Sequence, residues 1–206
     1  MPQSLRKNIP VLTFTCIWIA IFSEYALYLT NSKTGVFASI VHLTLFFTIL
    51  ANLLAGASVA AFLFPDKVPF ANLLRSEKFA TAALSYITIV GIVYNVLIRG
   101  TWNPQGAEIW IQELLHVVNP ILFLLYWIFF VDGKKLQYRD AILFLVFPFF
   151  YLTITFVRGA ITNFYPYWFL DLPNQGWIVV ASYSFILFLI FLFFGILYVL
   201  IGKKKN

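Results

Sequence analysis

Long apolar runs separated by short polar clusters set the layout of this chain. Six runs approach or exceed the roughly 20 apolar residues that a helix needs to cross a bilayer core: residues 9–29, 35–64, 79–98, 109–131, 141–157 and 177–201. Between them lie helix breakers and charges: Asn31-Ser32-Lys33, Pro65-Asp66-Lys67, Asn103-Pro104-Gln105-Gly106, Asp132-Gly133-Lys134-Lys135 and Leu172-Pro173-Asn174-Gln175-Gly176. The pattern predicts an all-α, polytopic integral membrane protein, one domain of six transmembrane helices over residues 1–206. Nothing is left over for a soluble domain.

Composition supports the same solvent. With 62% hydrophobic and only 11% charged residues, the chain lacks the polar surface needed to wrap a water-soluble core. The start, with Arg6 and Lys7 ahead of an apolar run, resembles a signal peptide. No small-x-small cleavage site follows Phe22, so the run is read as an uncleaved first span. Cys16 is the single cysteine, which excludes an internal disulfide.

Charge sets orientation. In a six-span layout both termini and the second and fourth connections share one side. That side carries Arg6, Lys7, Lys67, Arg75, Lys78, Lys134, Lys135, Arg139, Lys203, Lys204 and Lys205, 11 of the 14 basic residues. Lys33, Arg99 and Arg158 remain for the other side, so the positive-inside rule places both termini of a multi-pass cell-membrane protein in the cytoplasm. The net charge of +6 is thus topological, and no basic solvated face exists for nucleic acid. Lys203 to Lys205 form a topogenic flank that could also attract anionic head groups. The spans do not form two matching halves with paired breaks, which argues against a repeat-built transporter.

Polar side chains inside hydrocarbon are costly, so they locate candidate chemistry. Thr44, Thr48 and Asn52 recur every four residues in the second run, predicting one inward stripe continued at Gly56. For Thr44 and Asn52, a bond back to the carbonyl one turn earlier accounts for the residue without any function. In the fourth run His116 precedes Pro120 by four residues, so the proline cannot donate to the His116 carbonyl; a kink with a free acceptor is expected there. Glu113 could orient the ring. Thr48 and His116 form the one intramembrane set with enzymatic logic, a hydroxyl nucleophile and an imidazole base. Asn52 and Asn119 are candidate donors to the oxyanion of acyl transfer. The loop Tyr165-Pro166-Tyr167-Trp168-Phe169-Leu170-Asp171 reads as an interfacial aromatic belt. It also reads as a lid over a lipid cavity, with Arg158 holding Asp171 or a ligand carboxylate.

Two histidines are too few for a catalytic zinc site, and no cofactor is expected. The residues leave three readings open: a lipid-ester hydrolase, a non-catalytic lipid or small-molecule binding or transport protein, and a haem carrier using His42 and His116.

Three stretches, Phe46-Phe47-Thr48-Ile49-Leu50-Ala51-Asn52-Leu53-Leu54, Leu115-His116-Val117-Val118-Asn119-Pro120, and Arg158-Gly159 followed by Tyr165-Pro166-Tyr167 and Phe169-Leu170-Asp171, are similar to those of the Pr6Pr family of small bacterial membrane proteins. That family is related to the animal androgen-induced and androgen-dependent TFPI-regulating proteins. The resemblance implies a bacterial inner-membrane protein and an intramembrane threonine hydrolase acting on fatty acid esters of hydroxy fatty acids. Its threonine and histidine match Thr48 and His116, and its partners are membrane lipids and a fatty acyl ester substrate. The chain departs from the animal members at Ala51 and Asn52, near where they carry an acidic residue.

Overall fold

The apolar runs are helical in the computed structural model. The structure describes residues 3–101 and 103–205, with side chains from residue 8 onward, so the side chains of Arg6 and Lys7 lie outside the described residues. In chain order the helices are α1 (Gln3–Asn31), α2 (Val36–Thr44), α3 (Phe47–Leu63), the single turn α4 (Ala71–Leu74) and α5 (Glu77–Ile98). They continue with α6 (Ala107–Phe130), α7 (Tyr138–Thr162), the short α8 (Leu172–Gln175) and α9 (Trp177–Lys204). Among the described residues there is no strand. Five helices among the described residues are long and apolar enough to cross a membrane, or six spans when the bent pair α2 and α3 counts as one.

That bent pair corrects the expectation of a single helix over residues 35–64. α2 and α3 meet at 83°, and Phe46 between them is extended, with φ −82° and ψ 132°. No glycine or proline makes the break. Two phenols from distant parts of the chain hold it by taking the backbone groups that a new helix start leaves without intrahelical partners. The Tyr151 hydroxyl accepts from the Phe47 N–H and donates to the Leu45 carbonyl, both at 3.2 Å. The Tyr167 hydroxyl accepts from the Thr48 N–H at 3.4 Å.

The break also ends the predicted stripe. Thr44 stays on α2, where its hydroxyl donates to the Ile40 carbonyl and meets the Tyr25 hydroxyl, each at 2.7 Å. Thr48 becomes the second residue of α3.

α3 is buried along much of its length through small side chains, among them Ala51, Ala55, Ser58 and Ala61. Small residues let helix backbones approach where lipid gives no hydrophobic drive for association, and at Gly56 the helix meets Ile17 and Trp18 of α1. Ile17, Leu84, Ile87, Phe123 and Trp127 fill the centre, and Trp127 Nε1 donates to Thr81 Oγ1 at 2.9 Å.

Polar clamps gather at one end. Lys78 pairs with the buried Asp140 at 2.8 Å, and Glu77 accepts the Lys135 N–H at 2.9 Å. Lys205 Nζ donates to the Trp127 carbonyl at 2.6 Å and lies 3.3 Å from the centre of that residue's ring, while Lys203 lies over the Tyr138 ring. Lys203 and Lys205 therefore engage protein groups directly. Burial lowers the Lys205 ammonium pKa to about 8, against the opposing pull of Asp132.

Candidate functional site

The site begins with a local accident of α6. Pro120 has no N–H, and the helix accommodates it with a π turn over Leu114–Val118. The Asn119 N–H reaches back to the Leu114 carbonyl, leaving the Leu115 carbonyl without its usual helical donor. Asn52 of α3 supplies one, its Nδ2 lying 3.3 Å from that oxygen. The freed acceptors are thus the Leu115 carbonyl and, as expected, that of His116, whose usual donor would be the N–H that Pro120 lacks. The His116 carbonyl faces α5 at Gly91, where an added Cβ would sit 3.0 Å from it.

The π turn aims the histidine. His116 is 6% exposed, and its Nδ1 lies 3.0 Å from the Gln112 carbonyl. A carbonyl only accepts, so Nδ1 carries the proton of the neutral ring and Nε2 presents a lone pair. Nε2 faces Thr48 Oγ1 at 3.3 Å. The opposite ends of the imidazole are thereby assigned: one held by backbone, the other free to accept a hydroxyl proton. Tyr94 stacks on the ring at 3.9 Å and 17°, which fixes its plane.

The remaining predicted residues take other places. Asn52 and Asn119 are fully buried and do not donate into the site. Asn52 Nδ2 serves the Thr48 and Leu115 carbonyls, and Asn119 Nδ2 donates to Asn52 Oδ1 at 2.9 Å. Together they lock α3 to α6 behind the pair, and their expected role as oxyanion donors is withdrawn because both N–H groups of Asn52 are taken by carbonyls and the Asn119 amide is turned to Asn52. Glu113 does not orient His116; Arg99 from the end of α5 captures it at 2.7 Å.

Arg158 does not hold Asp171. Its guanidinium donates to His42 Nδ1 at 3.1 Å and covers the Phe164 ring, whereas Asp171 accepts from the Asn174 N–H and side chain at the start of α8. Tyr165 packs its ring directly onto Gly159, where a side chain would collide with it, and so turns away from the pair. Tyr167, two residues on, turns toward it.

Two cavities meet at Thr48 and His116, and Tyr94, Ile98 and Tyr167 also line both. One is a narrow apolar slot of about 90 Å³ between α5, α7 and α9, walled by Val90, Val93, Leu152 and Phe188. α7 leaves room for it: from Val146 to Thr162 the buried residues are Pro148, Thr155 and Gly159, while Phe149, Phe150 and Ile154 are exposed. The other is a larger hollow of about 410 Å³ bordered by Glu24, Tyr28, Glu108, Gln112 and Trp168.

Sequence reasoning missed the roles of Tyr151 and Tyr167 as holders of the α3 start, and of Gln112 as the acceptor for His116. A tyrosine deep in an otherwise phenylalanine-rich span was the available signal for Tyr151. Among the described residues no group of three or more His, Cys, Asp or Glu side chains is placed to hold a metal ion. The ring of His42 lies between Tyr28 and Phe164, with Nδ1 taken by Arg158. No protein-family model, curated protein or solved structure matches the chain.

Proposed function

We propose that this protein is an intramembrane hydrolase of long-chain fatty acyl esters, with Thr48 as nucleophile and His116 as general base. The observation that carries the reading is the 3.3 Å approach of Thr48 Oγ1 to His116 Nε2 while Nδ1 is held by the Gln112 carbonyl. A hydroxyl attacks an ester when a base accepts its proton, and the tautomer set by Gln112 leaves that base free.

In the reaction Oγ1 bonds to the acyl carbon as Nε2 takes its proton. The imidazolium then returns the proton to the departing alcohol oxygen as the ester bond breaks. Water attacks the acyl-threonine with the same base, releasing the fatty acid and restoring the hydroxyl. Tyr167 is suited to stabilise the oxyanion: its hydroxyl adjoins Thr48, and burial raises its pKa above the usual 10.0, so it remains a protonated donor. The acyl chain occupies the apolar slot and continues along the exposed flank of α7 into lipid.

The membrane frame of this reading is six crossings, α2 and α3 counted as one, in the cell membrane of a bacterium with both termini cytoplasmic. In that frame the pair lies in the outer half of the bilayer, since Thr48 opens α3 and His116 follows the outer start of α6 by about two and a half turns. Membership of the Pr6Pr family belongs to the same proposal. The direct test is fatty acid release from long-chain esters by the protein in vesicles. Activity lost in Thr48→Ala and in His116→Ala supports the assignment, and an unchanged rate in either rejects it.

A further inference from the structure

We infer that the alcohol half of the ester is neutral or cationic and carries no carboxylate. This rests on the hydrolase reading above and turns its substrate class away from the fatty acid esters of hydroxy fatty acids that the resemblance implies, whose alcohol half bears a carboxylate. The two cavities differ in what they can solvate. The slot offers hydrocarbon to an acyl chain, so the alcohol half falls to the larger hollow on the other side of the pair.

Among the described residues, the ionisable side chains bordering that hollow, apart from its tyrosines and His116, are the carboxyls of Glu24 and Glu108, with no lysine or arginine in the lining. The two arginines nearest in sequence to its walls are engaged elsewhere, Arg99 with Glu113 at 2.7 Å and Arg158 with His42 at 3.1 Å. Each carboxyl has acceptor capacity to spare. Glu24 Oε2 receives the Gln112 side chain at 3.3 Å and Glu108 Oε2 receives the Gln105 N–H at 3.3 Å, which leaves further lone pairs on both.

An incoming carboxylate would meet two carboxyl groups and, among the described residues, no basic side chain in the lining to neutralise it. A hydroxyl or ammonium group would find acceptors, and the rings of Tyr28 and Trp168 add a surface that favours a cation. The hollow selects by charge; the pair does the chemistry.

The test uses the full-length protein in vesicles and three palmitoyl esters that share the acyl group: those of γ-hydroxybutyrate, γ-hydroxybutyramide and glycerol. The first two differ in the charge of the alcohol half, and palmitate release reports on cleavage. The expected result is kcat/KM about tenfold or more higher for the amide and glycerol esters than for the acid. A Glu24→Gln, Glu108→Gln double variant should narrow that ratio; if it does not fold, the wild-type ratio decides.

An acid cleaved as fast as its amide, with Thr48→Ala inactive, overturns the charge selection and leaves the hydrolase standing. Discrimination that persists undiminished in a folded double variant also overturns it, by moving selectivity away from the two carboxyls. No palmitate from any ester overturns the hydrolase reading and this inference together.

Discussion

His116 Nδ1 lies 3.0 Å from the carbonyl oxygen of Gln112, one turn earlier on the same helix. This one bond decides which nitrogen can act as a base, because a backbone carbonyl accepts a proton-bearing partner and offers nothing else. It exists in a helix widened by a π turn, and the π turn sits immediately before Pro120. A single imino acid thus leads through helix geometry to the tautomer of a buried histidine.

The first consequence concerns the pair itself. Thr48→Ala should abolish ester hydrolysis, and Thr48→Ser should retain a measurable fraction, since it keeps a hydroxyl on the same Cβ. His116→Gln should lower kcat by about 10²- to 10⁴-fold, the range typical of a general base. Steady-state fatty acid release in vesicles, with helical content checked by circular dichroism, distinguishes loss of chemistry from loss of fold.

A second consequence concerns Gly91. An added Cβ would lie 3.0 Å from the His116 carbonyl and 3.5 Å from Pro120 Cγ, so α6 would have to yield by a few tenths of an ångström. Gly91→Ala is expected to keep the fold, because alanine favours a helix more than glycine does. It should reduce kcat by about tenfold or more by displacing the base. Equal activity in a folded Gly91→Ala variant would show that the α5 to α6 contact does not position His116.

How much of this was legible in the sequence depends on the distance over which each feature is determined. The spans were legible because apolar length is local, and Thr48 and His116 stood out as polar groups in apolar runs. The break at Leu45 and Phe46 was not. It is held by Tyr151 and Tyr167, more than 100 residues away, and nothing at the break itself marks it.

Pro120 announced the lost donor of the His116 carbonyl, but not that the Leu115 carbonyl is freed as well, which follows from a π turn that shifts the hydrogen-bond register by one. Glu113 looked like a partner of His116 by spacing, but Arg99 arrives from α5 and takes it. Tyr165 and Tyr167 are two residues apart in one loop, and only the course of the backbone sets which of them faces the site.

The third prediction follows from the break. Tyr151→Phe leaves the Phe47 N–H and Leu45 carbonyl without their partner and should cost about 1–3 kcal/mol in stability. Because the same bonds fix the start of α3, it should also lower kcat. Tyr167→Phe should lower kcat more than stability, since the Thr48 N–H bond it removes is long at 3.4 Å while the lost hydroxyl is the proposed oxyanion donor. Thermal unfolding in detergent beside kinetics separates the two effects.

Asn52 and Asn119 give a fourth prediction. Asn52→Leu should destabilise by about 1–2 kcal/mol, at the upper end for hydrogen bonds between membrane helices, since it strips donors from two backbone carbonyls. A double-mutant cycle with Asn119→Leu should show coupling of about 0.5 kcal/mol or more. Strict additivity would mean that the Asn119 Nδ2 to Asn52 Oδ1 bond contributes nothing.

The fifth concerns pH at the opposite end of the bundle. Folding lowers the Lys205 pKa from its usual 10.5 to about 8. Below about pH 8 the ammonium is charged in both states, and the cost of burying it is fully present. Between pH 8 and 10.5 the unfolded chain binds the proton and the folded chain does not, so stability rises with pH across that window. Lys205→Met should flatten the rise, as read by thermal unfolding at stepped pH; an identical slope in the variant would assign it to another group.

The most direct measurement is covalent trapping at Thr48. The protein in vesicles is treated with a long-chain fluorophosphonate, digested and analysed by mass spectrometry. A phosphonyl adduct on Thr48, absent when His116 is replaced by alanine, is the predicted result. An unmodified Thr48 in protein that still hydrolyses ester, or labelling that does not depend on His116, would contradict a threonine nucleophile activated by this histidine.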